Sequence, residues 1–115
     1  MHYSAKRDAN QPAIVAALKR AGASVVDLAA VGKGVPDLLV GRNGTTFLIE
    51  VKDASQNAHH AKSEDNPDGE LTDLQVEFLS SWAGQRVHIV HDEREALGVV
   101  CATELEIEAA LAAKE

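Results

Sequence analysis

The chain has a single cysteine, Cys101, among 115 residues, so it can form no intrachain disulfide and no cysteine metal cluster. It has no apolar run near the roughly 20 residues needed to span a bilayer. Its opening, Met-His-Tyr-Ser-Ala-Lys-Arg-Asp, has no apolar signal segment, so a protein of the reducing cytoplasm is expected. Excess positive charge is missing too. The formal net charge of −7 argues against a nucleic-acid coat, which works through a strong positive field. An enzyme acting on phosphodiesters is not excluded, because acidic residues that hold cations offset the charge locally. Gly32-Lys33-Gly34 lacks the length and the Ser/Thr ending of a phosphate loop, and reads as a flexible turn with a lysine near substrate. No glutamate precedes Glu50.

What is present suits one globular domain over residues 1–115, with 45% hydrophobic and 25% charged residues. Basic residues are denser in the first half, at Lys6, Arg7, Lys19, Arg20, Lys33, Arg42 and Lys52. Acids gather later, in Glu64 to Glu70 and Asp92 to Glu108. That asymmetry permits a local basic face.

Asn10-Gln11-Pro12 reads as a helix start, with a capping side chain and a proline in the first turn. Ile14, Val15, Leu18 and Ala21 recur at helical spacing, and Gly22 closes the helix. Ser24 to Leu28 is a short strand. Residues 53–70 are polar and aperiodic, and read as a long mobile loop of the functional kind. A second helix begins at Leu71-Thr72 with Thr72 as N-cap, with Leu74, Phe78, Leu79 and Trp82 on its buried side and Gly84 as its stop. Arg86 to Val90 is a fourth strand, Asp92 to Leu97 a short helix, and Thr103 to Ala113 a terminal one. The order predicts an α/β fold: an αβββαβ core, a mixed four-stranded sheet flanked by helices, and a C-terminal helix.

Two β-type runs, Leu38 to Val40 and Phe47 to Val51, flank Asn43-Gly44, the strongest short-range hairpin signal. With a two-residue loop Arg42 opposes Thr45, and Asp37 opposes Glu50. Opposed side chains share a face, with Cβ atoms roughly 4.5 to 5.5 Å apart, and like charges there are destabilising. Lys52, two beyond Glu50, points the same way. A divalent cation would offset the repulsion. Pro36, opposite Val51, has no N–H to give. The Val51 carbonyl could therefore serve as a further oxygen ligand.

Pro36-Asp37, followed after twelve residues by Glu50-Val51-Lys52, resembles the PD-(D/E)XK nuclease superfamily. The likeness is to small phage and bacterial VRR-NUC-type nucleases, relatives of the Holliday-junction resolvases, and continues through Leu71-Thr72-Asp73-Leu74-Gln75 and Trp82-Ala83-Gly84. It implies a restriction-endonuclease-like core and Mg²⁺- or Mn²⁺-dependent hydrolysis of DNA phosphodiesters, on branched or structured substrates, in a bacterial or phage-infected cell. Asp37, Glu50 and the Val51 carbonyl would hold the metal. Lys52 would orient water or stabilise charge developing on phosphorus, and Gln75 matches a polar position near the site. Lys6, Arg7, Lys33 and Arg42 are candidates for binding substrate, and a homodimer is expected because one small chain offers little surface to a duplex. Such nucleases often add an acid from the first helix. This chain offers only Asp8, Asn10 and Gln11 there.

Simpler readings exist for each residue. Glu50 and Lys52 could form a surface ion pair worth about 0 to 1 kcal/mol. The apolar run Phe47-Leu48-Ile49 around Glu50 speaks against a solvated face. His59-His60 reads as incidental, Phe78 and Trp82 as core rather than base-stacking, and Cys101 as a small packed residue. The alternative function is a catalytically inactive DNA- or partner-binding module on a nuclease scaffold.

Overall fold

The computed structural model describes residues 9–53 and 60–113. Among these, the elements run α1 (Gln11–Arg20), β1 (Ser24–Asp27), β2 (Leu38–Arg42), β3 (Thr45–Val51), α2 (Asp73–Ser81), β4 (His88–Val90), α3 (Glu93–Val100) and α4 (Glu104–Ala112). The sheet order is β1-β2-β3-β4, with β1, β2 and β3 antiparallel and β4 joined parallel to β3. This is the expected α/β arrangement of a mixed four-stranded sheet flanked by helices, with a C-terminal helix.

The register of the sheet sorts its side chains. Leu38, Val40, Ile49, Val51 and Val90 point to one face, where they bury against Ile14 and Leu18 of α1 and Ala96 and Val100 of α3. Ala17, Leu97, Ile107 and Ala110 extend the packing to α4. Cys101 lies between these clusters, and burial raises its thiol pKa, as suits a packed residue. The turn between β2 and β3 has Asn43 at φ 52° and Gly44 at φ 78°, both left-handed, as a two-residue type I′ turn requires.

The first helix ends as its sequence suggests. Ala23 N–H bonds Leu18 O and Gly22 N–H bonds Lys19 O, both at 3.0 Å, the paired bonds of a Schellman motif. Its start differs. The Asn10 side chain makes no capping bond, because its own backbone is already helical at φ −83° and ψ −7°. Its Nδ2 donates instead to Lys52 O at 3.1 Å and His91 O at 2.7 Å. Two carbonyls at the ends of parallel strands thus share one donor.

The second helix also departs from expectation. Thr72 caps it, but no residue of α2 is fully buried, and Leu74 and Trp82 are 55% and 43% exposed. The helix lies over the opposite face of the sheet from α1 and is tied to it by Gln75 and Glu50, and its apolar stripe is only half covered. It stops at Ser81, before Gly84. Trp82 turns extended and its Nε1–H donates to Gln85 O at 2.9 Å. β4 is shorter than expected, pairing only at His88–Val90.

Residues 54–59 of the expected 53–70 loop lie outside the described residues. In the remainder, Asn66 is buried and its amide bonds Ala61 O at 3.0 Å, Leu71 O at 2.9 Å and Leu71 N–H at 3.1 Å. His91 ties the same segment to α3. Its Nε2 lies 2.8 Å from the Glu70 carboxylate and its Nδ1 2.8 Å from Glu95 Oε1. Among the described residues no helix is long and apolar enough to cross a membrane.

Candidate active site

The β2–β3 ladder runs from Arg42↔Thr45 to Leu38↔Ile49, and its register continued by one step sets Asp37 opposite Glu50. The sequence-derived register therefore describes the hairpin. Asp37 has left the strand proper: its carbonyl accepts Leu28 N–H at 2.7 Å, and its Oδ2 accepts Val51 N–H at 2.7 Å. The carboxylate takes over a bond that the ladder no longer supplies. This fixes Asp37 against β3, with its carboxyl group within hydrogen-bond reach of Glu50.

Glu50 is 3% exposed and Lys52 4%. Burial, then the neighbouring charge of Asp37, pushes the Glu50 pKa up to about 9, against the opposing pull of Lys52. Burial likewise raises Asp37, despite the Val51 N–H that favours its charged form. Lys52 Nζ stands 3.6 Å from Glu50 Oε2. With both acids ionised, one ammonium leaves the trio negative in a dry setting, and a proton or a cation must balance it.

Gln75 completes the arrangement through its own helix start. Thr72 Oγ1 accepts Gln75 N–H at 3.2 Å, and Gln75 Oε1 accepts Thr72 N–H at 2.9 Å, a reciprocal capping box. With its oxygen so engaged, the Gln75 amide can turn only its Nε2 outward, and this donates to Glu50 Oε2 at 3.0 Å. The Thr-x-x-Gln spacing carried that signal in the sequence. Gly34 brings the helix close. Its φ is +80°, and any Cβ there would fall into the Leu74 carbonyl.

Asp37, Glu50, Val51, Lys52 and Gln75 thus come together. The other candidates do not all join them. Arg42 stands at the turn end of β2, roughly 17 Å along the strand from Asp37. Its guanidinium donates to Ala21 O at 2.7 Å, Val100 O at 3.1 Å and Glu106 Oε1 at 3.3 Å. It is a clasp between the hairpin and the helices, and the structure does not bring it to the acid pair. Lys33 is exposed in the turn before Gly34, at φ 58°. Lys6, Arg7, Asp8 and His59 lie outside the described residues.

On the first helix, Gln11 is 2% exposed, and its Oε1, like Asn10 Oδ1, is buried without a hydrogen-bond partner. An all-oxygen donor set with a buried and a half-buried carboxylate that repel each other fits a hard divalent cation such as Mg²⁺ or Mn²⁺. Asp37, Glu50 and the Val51 carbonyl could hold it. Among the described residues no three His, Cys, Asp or Glu side chains are grouped to do so, so carbonyl and water oxygens would complete the set. No family model, curated protein or solved structure matches the chain, and its own geometry carries the functional argument.

Proposed function

We propose that this protein is a metal-dependent endonuclease hydrolysing DNA phosphodiesters in branched or structured substrates, similar to the PD-(D/E)XK nucleases of VRR-NUC and Holliday-junction-resolvase type. One observation carries the reading. The buried Glu50 carboxyl and the half-buried Asp37 carboxyl lie within hydrogen-bond reach of each other, flanked by the buried Lys52 ammonium at 3.6 Å from Glu50 and an amide donor at 3.0 Å. A purely structural role would be better served by apolar residues, since burying such charges costs several kcal/mol each by a rough reckoning.

Mg²⁺ or Mn²⁺, when bound, supplies a charge that polarises a phosphoryl oxygen and lowers the pKa of water. Asp37 and Glu50 would hold that charge, Asp37 being positioned by Val51 N–H and Glu50 by Gln75. Lys52 offers its ammonium to a phosphate oxygen or to the attacking water. A homodimer would place two such sites on a duplex.

The test is cleavage of labelled junction, flap, single-stranded and duplex DNA in Mg²⁺ and in Mn²⁺. Activity should vanish in EDTA and in Glu50→Gln. Undiminished cleavage in EDTA overturns the proposal. A second reading, an inactive DNA- or partner-binding module, is favoured by the neutral Gln11 at the helix-one position and because no three His, Cys, Asp or Glu side chains among the described residues are grouped to hold a metal. Calorimetry with Mn²⁺ separates the two: the module would release no binding heat that depends on Asp37 and Glu50.

A further inference from the structure

The acid pair is the end of a row. One step along the same sheet face, Leu39 opposes Leu48, and one step further Thr46 follows. On α2, Phe78 lies one turn beyond Gln75, and Trp82 follows the helix as its extended cap. Each element that carries a polar residue of the site therefore carries an apolar one beside it, about 7 Å along the strands. Together Leu39, Leu48, Thr46, Phe78, Trp82 and Gln85 line a groove of about 460 Å³ between α2 and the sheet. Phe78 and Trp82 stack with ring centroids 5.2 Å apart and planes at 19°, and Trp82 stays 43% exposed. These aromatics are not core, contrary to their helical spacing.

We infer that this groove takes an unpaired nucleobase of the strand whose phosphate sits at the acid pair, stacked against the Phe78–Trp82 rings. The inference rests on the nuclease reading for which strand enters. Its volume lies within the range of about 300 to 1,000 Å³ usual for small-molecule sites. A second copy of the chain would need a contact surface of roughly 800 Å² per partner, whereas this is a concave slot whose Leu39 and Leu48 stand one step along the strands from Asp37 and Glu50. Charge argues the same way. An acidic chain with Arg42 withdrawn into its own fold gains little from phosphate contacts. Base stacking, worth about 1 to 3 kcal/mol per base, is the affinity left to it. Bases in a duplex already stack on their neighbours, so the slot selects unpaired nucleotides beside a branch or an end. Gln85 and Thr46 offer polar groups to the base edge.

Trp82 is the sole tryptophan, so its emission reports on the groove directly. The wild-type protein is mixed rapidly with short single-stranded DNA in Mg²⁺, with the same sequence as duplex, and with a single strand carrying abasic sites. The intact single strand should quench Trp82, and the duplex and abasic strands should not. Trp82→Leu should weaken single-strand binding roughly tenfold, with Trp82→Phe restoring most of it. Equal quenching by all three DNAs, no quenching by any, or a dimer that falls apart in Trp82→Leu overturns the inference. Cleavage of the same DNAs is scored separately. Base-dependent quenching without cleavage sinks the nuclease reading and keeps the groove, whereas cleavage without quenching does the reverse.

Discussion

Asp37 Oδ2 accepts the backbone N–H of Val51 at 2.7 Å, so one proposed metal ligand also anchors the backbone of another. Asp37→Asn keeps an acceptor at this place and removes the charge. It should abolish Mg²⁺-dependent cleavage with little change in stability. Asp37→Ala leaves the N–H without its partner and should cost a further 1 to 3 kcal/mol or so in urea denaturation. Equal stability of the two variants would show that the bond carries no weight.

Glu50 holds its proton to about pH 9 in the folded protein, against an ordinary value of 4.5. Between those values the folded chain binds more protons than the unfolded one, so stability of the metal-free protein falls as pH rises. Glu50→Gln removes that loss. In EDTA at pH 8 the variant should be more stable than wild type by roughly 1 to 3 kcal/mol, with the gap closing near pH 4. Mg²⁺ should then stabilise wild type and not the variant. Thermal unfolding across pH, with and without metal, measures both.

Gly34→Ala and Gly32→Ala form a matched pair. Both glycines have positive φ, but a Cβ at Gly32 meets nothing whereas one at Gly34 meets the Leu74 carbonyl. Each variant should lose roughly 1 kcal/mol or more to backbone strain. Only Gly34→Ala should lift α2, pull Gln75 from Glu50 and depress cleavage strongly. Hydrogen exchange at the first turn of α2 distinguishes them.

His91 gives a second pH dependence. Burial opposes its charge, but hydrogen bonds and charges from Glu70 and Glu95 outweigh this and raise its pKa above 6.5. The stabilisation is complete below pH 6.5 and is lost as pH climbs through the higher folded value. In a Glu50→Gln background, which removes the Glu50 titration, His91→Gln should reduce the remaining slope just above pH 6.5. An unaltered slope would remove His91 as its source.

The hairpin register was legible because Asn43-Gly44 admits few loop lengths and side-chain period fixes the rest. The Thr72 cap was legible from its place before the helix, whereas the reciprocal bond from Gln75 emerged from the structure. Arg42 was not, since its partners lie 21, 58 and 64 residues away and a sequence shows only that it is charged. The His91 bridge and the Asn66 anchor were hidden for the same reason. Trp82 misled because helical spacing reports which residues share a stripe, and not whether anything covers it.

β3 is an inner strand, held by β2 on one side and β4 on the other. Glu50 and Lys52 thus lie on or beside a strand bonded on both edges, whereas α2 has no fully buried residue to anchor it. Local opening reaches such weakly anchored helices first. As the molecule breathes, the acids lose their amide companion and gain access to water while still aligned with each other. Metal exchange would follow the opening of a helix, without needing the sheet to come apart.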